Sequence, residues 1–200
     1  MRTAIGAVAV ITLIALAVNL LGGDEEPAER TPQVAFAGTA RAESEASRPD
    51  QPVVDTEAGE IRKILDDWYQ NAFVDPSKYG DGTFSDVAKY FTKEAQTSFT
   101  EDLKSLTIGE AREEVRRVEP AVQTANVTVF FDKAGKPQFA TAVVRFEARA
   151  SLKSKEALPV HIRQNATYHF EKKSGEWLVA YYEADQKQNS VQPSPSPERS

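Results

Sequence analysis

The stretch ILDDWYQNAF, residues 64–73, places two carboxylates next to two aromatic side chains and resembles a site of acid–base chemistry more than any other part of the sequence. Asp66 and Asp67 could act together if both pointed into one pocket, because burial shifts a carboxylate pKa toward neutral pH. At about 100° per residue, however, Asp67 falls away from the apolar stripe of the predicted helix, and Asp66 lies at its border. We therefore expect Asp67 to be solvated, Asp66 to be solvated or to line the mouth of a pocket, and Trp68 and Tyr69 to point into the core.

The other residue types give little support for metal or nucleophile chemistry. The chain has no cysteine, which excludes thiolate sites and disulfides, and it has two histidines. His161 and His169 lie in one predicted strand, roughly 26 Å apart at about 3.3 Å per residue, so they cannot share an ion without a bend. No phosphate-binding glycine loop and no Ser–His–Asp motif is present. The sequence predicts neither a metal site nor a cofactor, and it disfavours catalysis without excluding it.

Size and charge limit the class of protein. With 200 residues and 40% hydrophobic content, the chain can hold one ordinary domain plus accessory segments. Its net charge is -6, and the lysines and arginines are scattered along the chain. A nucleic-acid-binding face would need a basic stripe, so we do not expect a nucleic acid partner.

The N-terminal segment has the composition of a membrane anchor. Residues 3–21 form a run of nineteen positions without a charge, close to the roughly 20 residues that a helix needs to cross a bilayer. We predict a transmembrane anchor over residues 1–22, with a cleaved signal peptide or a buried core helix as the alternatives. Arg2 precedes the span and an acidic stretch follows it. The positive-inside bias then places the N-terminus in the cytoplasm and the remaining chain outside it, at the plasma membrane.

Two segments have the composition of disordered chain. Residues 23–55 are rich in Pro, Ala, Glu, Ser and Arg and show no sustained period, so they are expected to bury too little apolar area to offset their ordering entropy. We predict a flexible linker there and a disordered Pro/Ser tail over residues 187–200. The folded domain is expected between them, over residues 56–186.

Helical periodicity predicts three helices at the start of this domain. The first has a continuous apolar stripe made of Ile61, Ile64, Leu65, Trp68, Tyr69, Ala72 and Phe73. A shorter second helix follows, with the apolar positions Phe84, Val87, Ala88 and Phe91. Thr92 can cap a third helix, whose narrower stripe consists of Ala95, Phe99, Leu103 and Leu106.

After residue 115 the apolar period changes to two, which predicts strands. The inward side chains of the first strand are Ala121, Ala125, Val127, Val129 and Phe131. Those of the second are Ala140, Ala142, Val144, Phe146, Ala148, Ala150 and Leu152, and those of the third are Val160, Ile162, Gln164, Ala166, Tyr168 and Phe170. The last strand is WLVAYYEA. Four strands joined by short turns predict an antiparallel sheet with one face covered by the helices, so the fold class is α+β.

This order of elements, with the pieces WYQNAF and GEWLVAYYE, resembles the nuclear transport factor 2-like cone fold over about residues 57–184. With an anchor and a linker before the domain, the layout is similar to mammalian-cell-entry-associated membrane proteins and to the inner-membrane assembly component of type IV secretion systems. The resemblance implies a curved sheet of four or slightly more strands and a noncatalytic envelope role. Ketosteroid isomerases and polyketide cyclases of the same superfamily use the inside of the cone as an active site, so the fold leaves the function open.

Two candidate sites follow from these positions. Inside the cone, the residues of a ligand pocket would be Trp68, Tyr69, Phe146, Gln164 and Tyr168. On the opposite face of the sheet, a partner surface would contain Arg145, Arg149, His161, Arg163 and His169. The alanines on the inner face admit close helix packing or a cavity for an apolar ligand.

The main hypothesis is a membrane-anchored extracytoplasmic interaction or assembly factor that binds other envelope proteins or itself. The alternative is apolar-ligand binding or isomerase- or cyclase-like activity in the cone.

Overall fold

The computed structural model describes residues 31–44, 49–80 and 84–190. In these ranges no helix is both long and apolar enough to span a bilayer. The predicted anchor, its orientation and the final residues of the predicted tail lie outside them, so the predictions for those segments stay predictions.

The described chain forms a mixed five-stranded sheet covered by helices, which confirms the α+β class. The strands follow one another across the sheet in chain order. They are β1 (Ala40–Ser44), β2 (Val115–Phe131), β3 (Pro137–Leu152), β4 (Val160–Lys173) and β5 (Glu176–Ser190). Strands β2 to β5 form the predicted antiparallel meander, and β1 adds a parallel edge strand beside β2. This arrangement agrees with the cone fold that the resemblance implies.

One long helix and several short ones cover the inner face of the sheet. They are α1 (Gln51–Tyr69), which continues as a π-helical turn (Gln70–Val74), then α2 (Ser85–Ala88), α3 (Lys93–Phe99) and α4 (Leu103–Leu106), with 3-10 turns at Pro76–Lys78 and Gly109–Glu113. The Thr92 cap is confirmed, because its hydroxyl accepts the Ala95 amide at 3.2 Å. The predicted third helix is in fact two helices, since the chain turns between Phe99 and Leu103.

The alternation in the strands is largely confirmed. The predicted inward residues of β3 from Ala140 to Ala150, and those of β4 from Ile162 to Phe170, are buried. The inward prediction for Ala121 is wrong, since this residue is exposed. A register shift between Pro120 and Val122 reverses the faces at this point, as a β-bulge does.

The predicted linker and tail are both shorter than expected. Residues 31–44 pack on the domain: Val34 and Phe36 are buried, and β1 pairs with β2. Helix α1 begins at Gln51, where Pro52 occupies the first turn, a position that suits proline. At the other end β5 continues to Ser190. The composition of residues 23–55 misled the prediction because a single strand along a sheet edge needs only a few buried side chains.

The mostly buried carboxylate of Glu57, in the first half of α1, links this helix to the turn between β4 and β5. Glu57 accepts the indole N–H of Trp177 at 2.8 Å and pairs with the ammonium group of Lys172. The side chains of Lys172 and Glu57 are only 15% and 12% exposed. Glu60 approaches the same ammonium group at 3.5 Å, but its own side chain is 52% exposed.

We predict that Glu57→Ala lowers the free energy of unfolding by about 2 kcal/mol, because it leaves a mostly buried ammonium group and an indole N–H without their acceptor. Glu60→Ala is the matched control and should change it by less than about 0.5 kcal/mol, since exposed ion pairs contribute little. Urea unfolding followed by circular dichroism measures both. Equal losses in the two variants would contradict the assignment.

Candidate functional site

The five residues predicted for a ligand pocket do come together inside the cone. Hydrogen bonds link three of them: the Tyr69 hydroxyl donates to Gln164 Oε1 and lies 2.9 Å from the Tyr168 hydroxyl. The Gln164 amide group donates to the carbonyl of Ser105. Burial raises the pKa of both Tyr69 and Tyr168. The two hydroxyls are therefore neutral at ordinary pH and serve as hydrogen-bonding groups rather than as bases.

Aromatic rings fill the space around this polar chain. Tyr69 stacks on Phe73 with 5.0 Å between ring centroids and lies 5.0 Å from Phe146. Trp68 contacts the edges of Phe91 and Tyr168, each at 4.7 Å. All of these side chains are almost fully buried. The inner face is thus a packed core, and the close-packing interpretation of the inner alanines agrees with it.

One buried nitrogen atom in this core has no hydrogen-bond partner among the described residues. The indole nitrogen of Trp68 is buried and has no hydrogen-bond partner within the ranges that the structure describes. Buried donors are nearly always paired, and each exception invites an explanation.

A segment before α1 lies between that helix and the edge of β2. We call residues 32–39 the strap. Its Phe36 ring lies 4.8 Å from the ring of Tyr69 and 6.4 Å from that of Phe146. Val34 is buried beside it, whereas Ala35 between them is exposed. The strap therefore covers the inner aromatic cluster from outside.

Three side chains spaced four residues apart, two on α1 and one at the start of its π-helical turn, hold the main chain of the strap. Gln70 accepts the Val34 amide at 2.8 Å and donates to the carbonyl of Pro32 at 3.1 Å. Asp66 accepts the Phe36 amide at 2.6 Å. Arg62 donates to the carbonyls of Gly38 and Thr39 at 3.1 and 2.8 Å. Residues i and i+4 share one helix face, so this spacing makes a continuous polar row along the strap.

Strand β2 holds the other side of the strap. Gln123 accepts the Ala35 amide at 2.7 Å through its side chain and the Ala37 amide at 3.2 Å through its backbone. The amide of Ala125 donates to the carbonyl of Ala37 at 2.8 Å. Beyond Gly38, the Asn126 side chain accepts the Thr39 amide at 3.0 Å. We call this cleft between α1 and β2 the strap groove.

The two carboxylates of the opening stretch have separate roles. Asp67 is exposed, as predicted. Asp66 is partly buried under the strap; burial raises its pKa, and the Phe36 amide partly offsets that effect. The sequence placed Asp66 at the border of the helix stripe, but it missed Arg62, Gln70 and the strap. The repeat of polar residues four positions apart in α1 was the available signal.

The predicted partner surface lies on the outer face of the sheet, the side opposite to the helices. Its five residues are Arg145, Arg149, His161, Arg163 and His169. Glu147, which the prediction left out, accepts hydrogen bonds from Arg145 at 2.6 Å and lies 3.2 Å from Arg163 and 3.7 Å from His161. The hydrogen bond from Arg145, together with these charges, lowers the pKa of Glu147. Glu147 therefore neutralises part of the positive charge of the predicted partner surface.

The outer face also carries apolar side chains that the prediction did not include. Phe139, Val143 and Tyr181 are 59%, 54% and 56% exposed, and they are three of the five large apolar side chains exposed in the described ranges. A shallow pocket of about 620 Å³ lies over β3 to β5 beside Val143 and Arg145, and a more apolar one of about 760 Å³ surrounds Phe139.

Metal ligands do not cluster in the described part of the chain. No three side chains of His, Cys, Asp or Glu approach one another closely enough there to hold an ion.

The chain matches no protein-family profile and no curated protein sequence. Among solved structures it is similar to a crystal structure described as a "Putative Scytalone Dehydratase" from Novosphingobium aromaticivorans. The two chains share 12% identity with a TM-score of 0.46, over 76% of this chain and 99% of the other. A likeness of this degree assigns neither an activity nor a ligand.

We predict that Tyr69→Phe lowers the free energy of unfolding by about 1–3 kcal/mol, because it leaves the buried amide oxygen of Gln164 without its donor. Tyr181→Phe removes an exposed hydroxyl and should cost less than about 0.5 kcal/mol. Thermal and urea unfolding of both variants provide the comparison. A loss in Tyr69→Phe as small as that in Tyr181→Phe would show that the polar chain does not stabilise the core.

Proposed function

We propose that the protein is a noncatalytic interaction module that pairs with a second copy of itself through the outer face of its sheet, as part of a larger envelope complex. In this proposal residues 3–21 anchor it in the plasma membrane and the domain lies outside the cytoplasm. The uncharged run and the charges on its two sides support the anchor and its orientation.

The exposed apolar group on the outer face is the observation that carries the proposal. Phe139, Val143 and Tyr181 stand on neighbouring rows of one sheet face, while most side chains of the inner face of β3 and β4 are buried. Contiguous exposed apolar surface on a soluble domain marks interaction sites. Aromatic residues and arginine are also the types enriched in interfaces.

Charge complementarity between two strands favours a second copy as the partner. On the outer face, Arg145 of β3 and Asp185 of β5 lie in the same row, with Asn165 of β4 between them. In the next outward-facing row, Glu147 lies on β3 and Lys187 lies on β5. The signs along β3 are thus the reverse of those along β5.

Two copies could pack with their outer faces together, related by a two-fold axis that runs parallel to β4, and this arrangement would bring the opposite charges together. It would place β3 of one copy over β5 of the other, so that Arg145 faces Asp185 and the apolar end of β3 faces Tyr181. Such an interface is self-complementary, as a two-fold interface must be. Packed sheets cross at about 30° because each is twisted, so only the central rows stay opposite one another.

The inside of the cone supports a noncatalytic function. Its polar groups in β3 and β4 are Gln164 and Tyr168, and neither titrates near neutral pH. General acid–base catalysis needs a group with a pKa near the working pH.

We predict that Arg145→Asp and Asp185→Arg each weaken self-association of the full chain at least about tenfold, which corresponds to about 1.4 kcal/mol. Each single change sets like charges opposite one another, and the double variant restores their attraction. Sedimentation equilibrium in density-matched detergent micelles measures the dissociation constants.

Lys63→Asp reverses an exposed charge on α1 and is the control that should leave the dissociation constant unchanged. A chain that stays monomeric, or a double variant as weak as the two single ones, would contradict pairing of copies. Capture of a different membrane protein by the same face would assign the surface to that partner instead.

Binding of a small apolar molecule inside the cone is the second candidate. The unpaired indole nitrogen of Trp68 and the converging groups of Tyr69, Gln164 and Tyr168 favour it, because ligand pockets combine apolar walls with a few polar groups. It requires the packed rings to move apart. An increase in the Tm of the full chain with added acetophenone, whose carbonyl can accept the Trp68 N–H, would support it if the increase is absent in Tyr69→Phe.

A further inference from the structure

We propose that the strap groove is a peptide-binding site. The chain's own strap fills it in this structure, and an extended segment of another protein can occupy it by displacing the strap. The segment would carry an apolar residue, then phenylalanine two positions later, then glycine after two more. This site lies between α1 and the β1–β2 edge of the sheet, whereas the proposed pairing of copies uses β3 to β5.

The groove recognises main chain. Three successive strap amides, those of Val34, Ala35 and Phe36, donate to the side chains of Gln70, Gln123 and Asp66. On the acceptor side, Arg62 binds two successive carbonyls of the strap. Contacts of this kind read the backbone of an extended peptide and do not depend on its sequence, as in strand addition to a sheet edge.

Two side-chain positions supply specificity. Val34 and Phe36 are buried, whereas Ala35 between them is exposed, so alternate residues face the groove. Phe36 packs its ring against the edge of Tyr69, an arrangement that favours an aromatic residue at this position. The groove thus combines backbone recognition with one aromatic anchor.

Gly38 gives a third requirement. A Cβ atom at this position would lie 2.3 Å from the carbonyl oxygen of Ala125 and 2.7 Å from its carbon. Both are backbone atoms of β2, which cannot move without breaking the pairing with β3. Only glycine therefore allows the strap to approach the strand edge this closely.

The walls of the groove are held by contacts that do not involve the strap. Helix α1 packs its apolar stripe on the sheet, and β2 pairs along its other edge with β3 over almost its whole length. Loss of the strap would leave the walls in place and the edge of β2 unpaired around Gln123 to Ala125, beside the part that β1 covers. An unpaired strand edge is a template for another strand.

The test uses the full chain and a fluorescein-labelled peptide of residues 31–39, which covers the strap and leaves out β1. Gly38→Val prevents the strap from docking without altering a groove residue, and Phe36→Ala is a second variant that weakens the strap. Fluorescence anisotropy should show that the peptide binds both variants at least about tenfold more tightly than it binds the unaltered chain. Ala35→Ser changes an exposed strap position and should behave like the unaltered chain.

Two further changes locate the binding. A peptide with alanine in place of the phenylalanine should bind the Gly38→Val chain at least about tenfold more weakly. Adding Asp66→Ala to that chain removes the acceptor of the Phe36 amide and should weaken the binding of the original peptide at least about fivefold.

Several results would overturn the proposal. These are no binding to either strap variant, equal binding to the variants and the unaltered chain, and binding that is insensitive to the alanine peptide or to Asp66→Ala. Loss of cooperative unfolding in both Gly38→Val and Phe36→Ala would also overturn it, because the strap would then be an integral part of the fold and could not be exchanged.

Discussion

The rest of the structure depends on the contact between the aromatic end of α1 and the inner face of the sheet. Trp68 and Tyr69 enter the curve of β3 and β4, where ring packing and the hydroxyl chain through Gln164 fix the helix in depth and direction. Once α1 is fixed, its next face presents Arg62, Asp66 and Gln70 toward the edge of β2. The strap groove is a consequence of that placement, and so is the free outer face of the sheet.

This contact also bears on the proposed function. A cone that works on a small molecule needs an open interior, whereas here aromatic rings fill it and Phe36 of the strap packs against them. What remains available is surface: the apolar and charged rows of the outer face, and the main-chain-binding row along α1. Both surfaces suit protein partners, which is why the proposals concern interaction rather than chemistry.

Much of the fold could be predicted from periodicity, because a packed face imposes its spacing on the sequence. The stripe from Ile61 to Phe73 and the alternation around Phe146 and Tyr168 identified the core correctly. Periodicity fails where the register changes, as at the bulge beside Ala121, and where a helix breaks, as between α3 and α4. Composition alone wrongly assigned the strap to a disordered linker.

The polar sites were harder to predict because their roles depend on partners far along the chain. Asp66 gains its role from the amide of Phe36, thirty positions earlier, and Glu147 contacts not only the nearby Arg145 but also Arg163 on the next strand. Neither of these long-range contacts leaves a local pattern. The exposed Phe139 and Tyr181 were likewise missed, since alternation shows which face a residue takes but not whether another chain covers it.

Pairing through the outer face can be measured directly with one spin label. The chain has no cysteine, so Thr167→Cys gives a unique attachment site on β4, close to the proposed two-fold axis. Packed sheets lie about 10 Å apart, so electron paramagnetic resonance of the full chain in nanodiscs should show strong dipolar broadening between the two labels. A label at Lys63→Cys, exposed on helix α1 on the opposite side of the sheet, should show much less. Absence of broadening at Thr167→Cys in a sample that is dimeric would contradict pairing through this face.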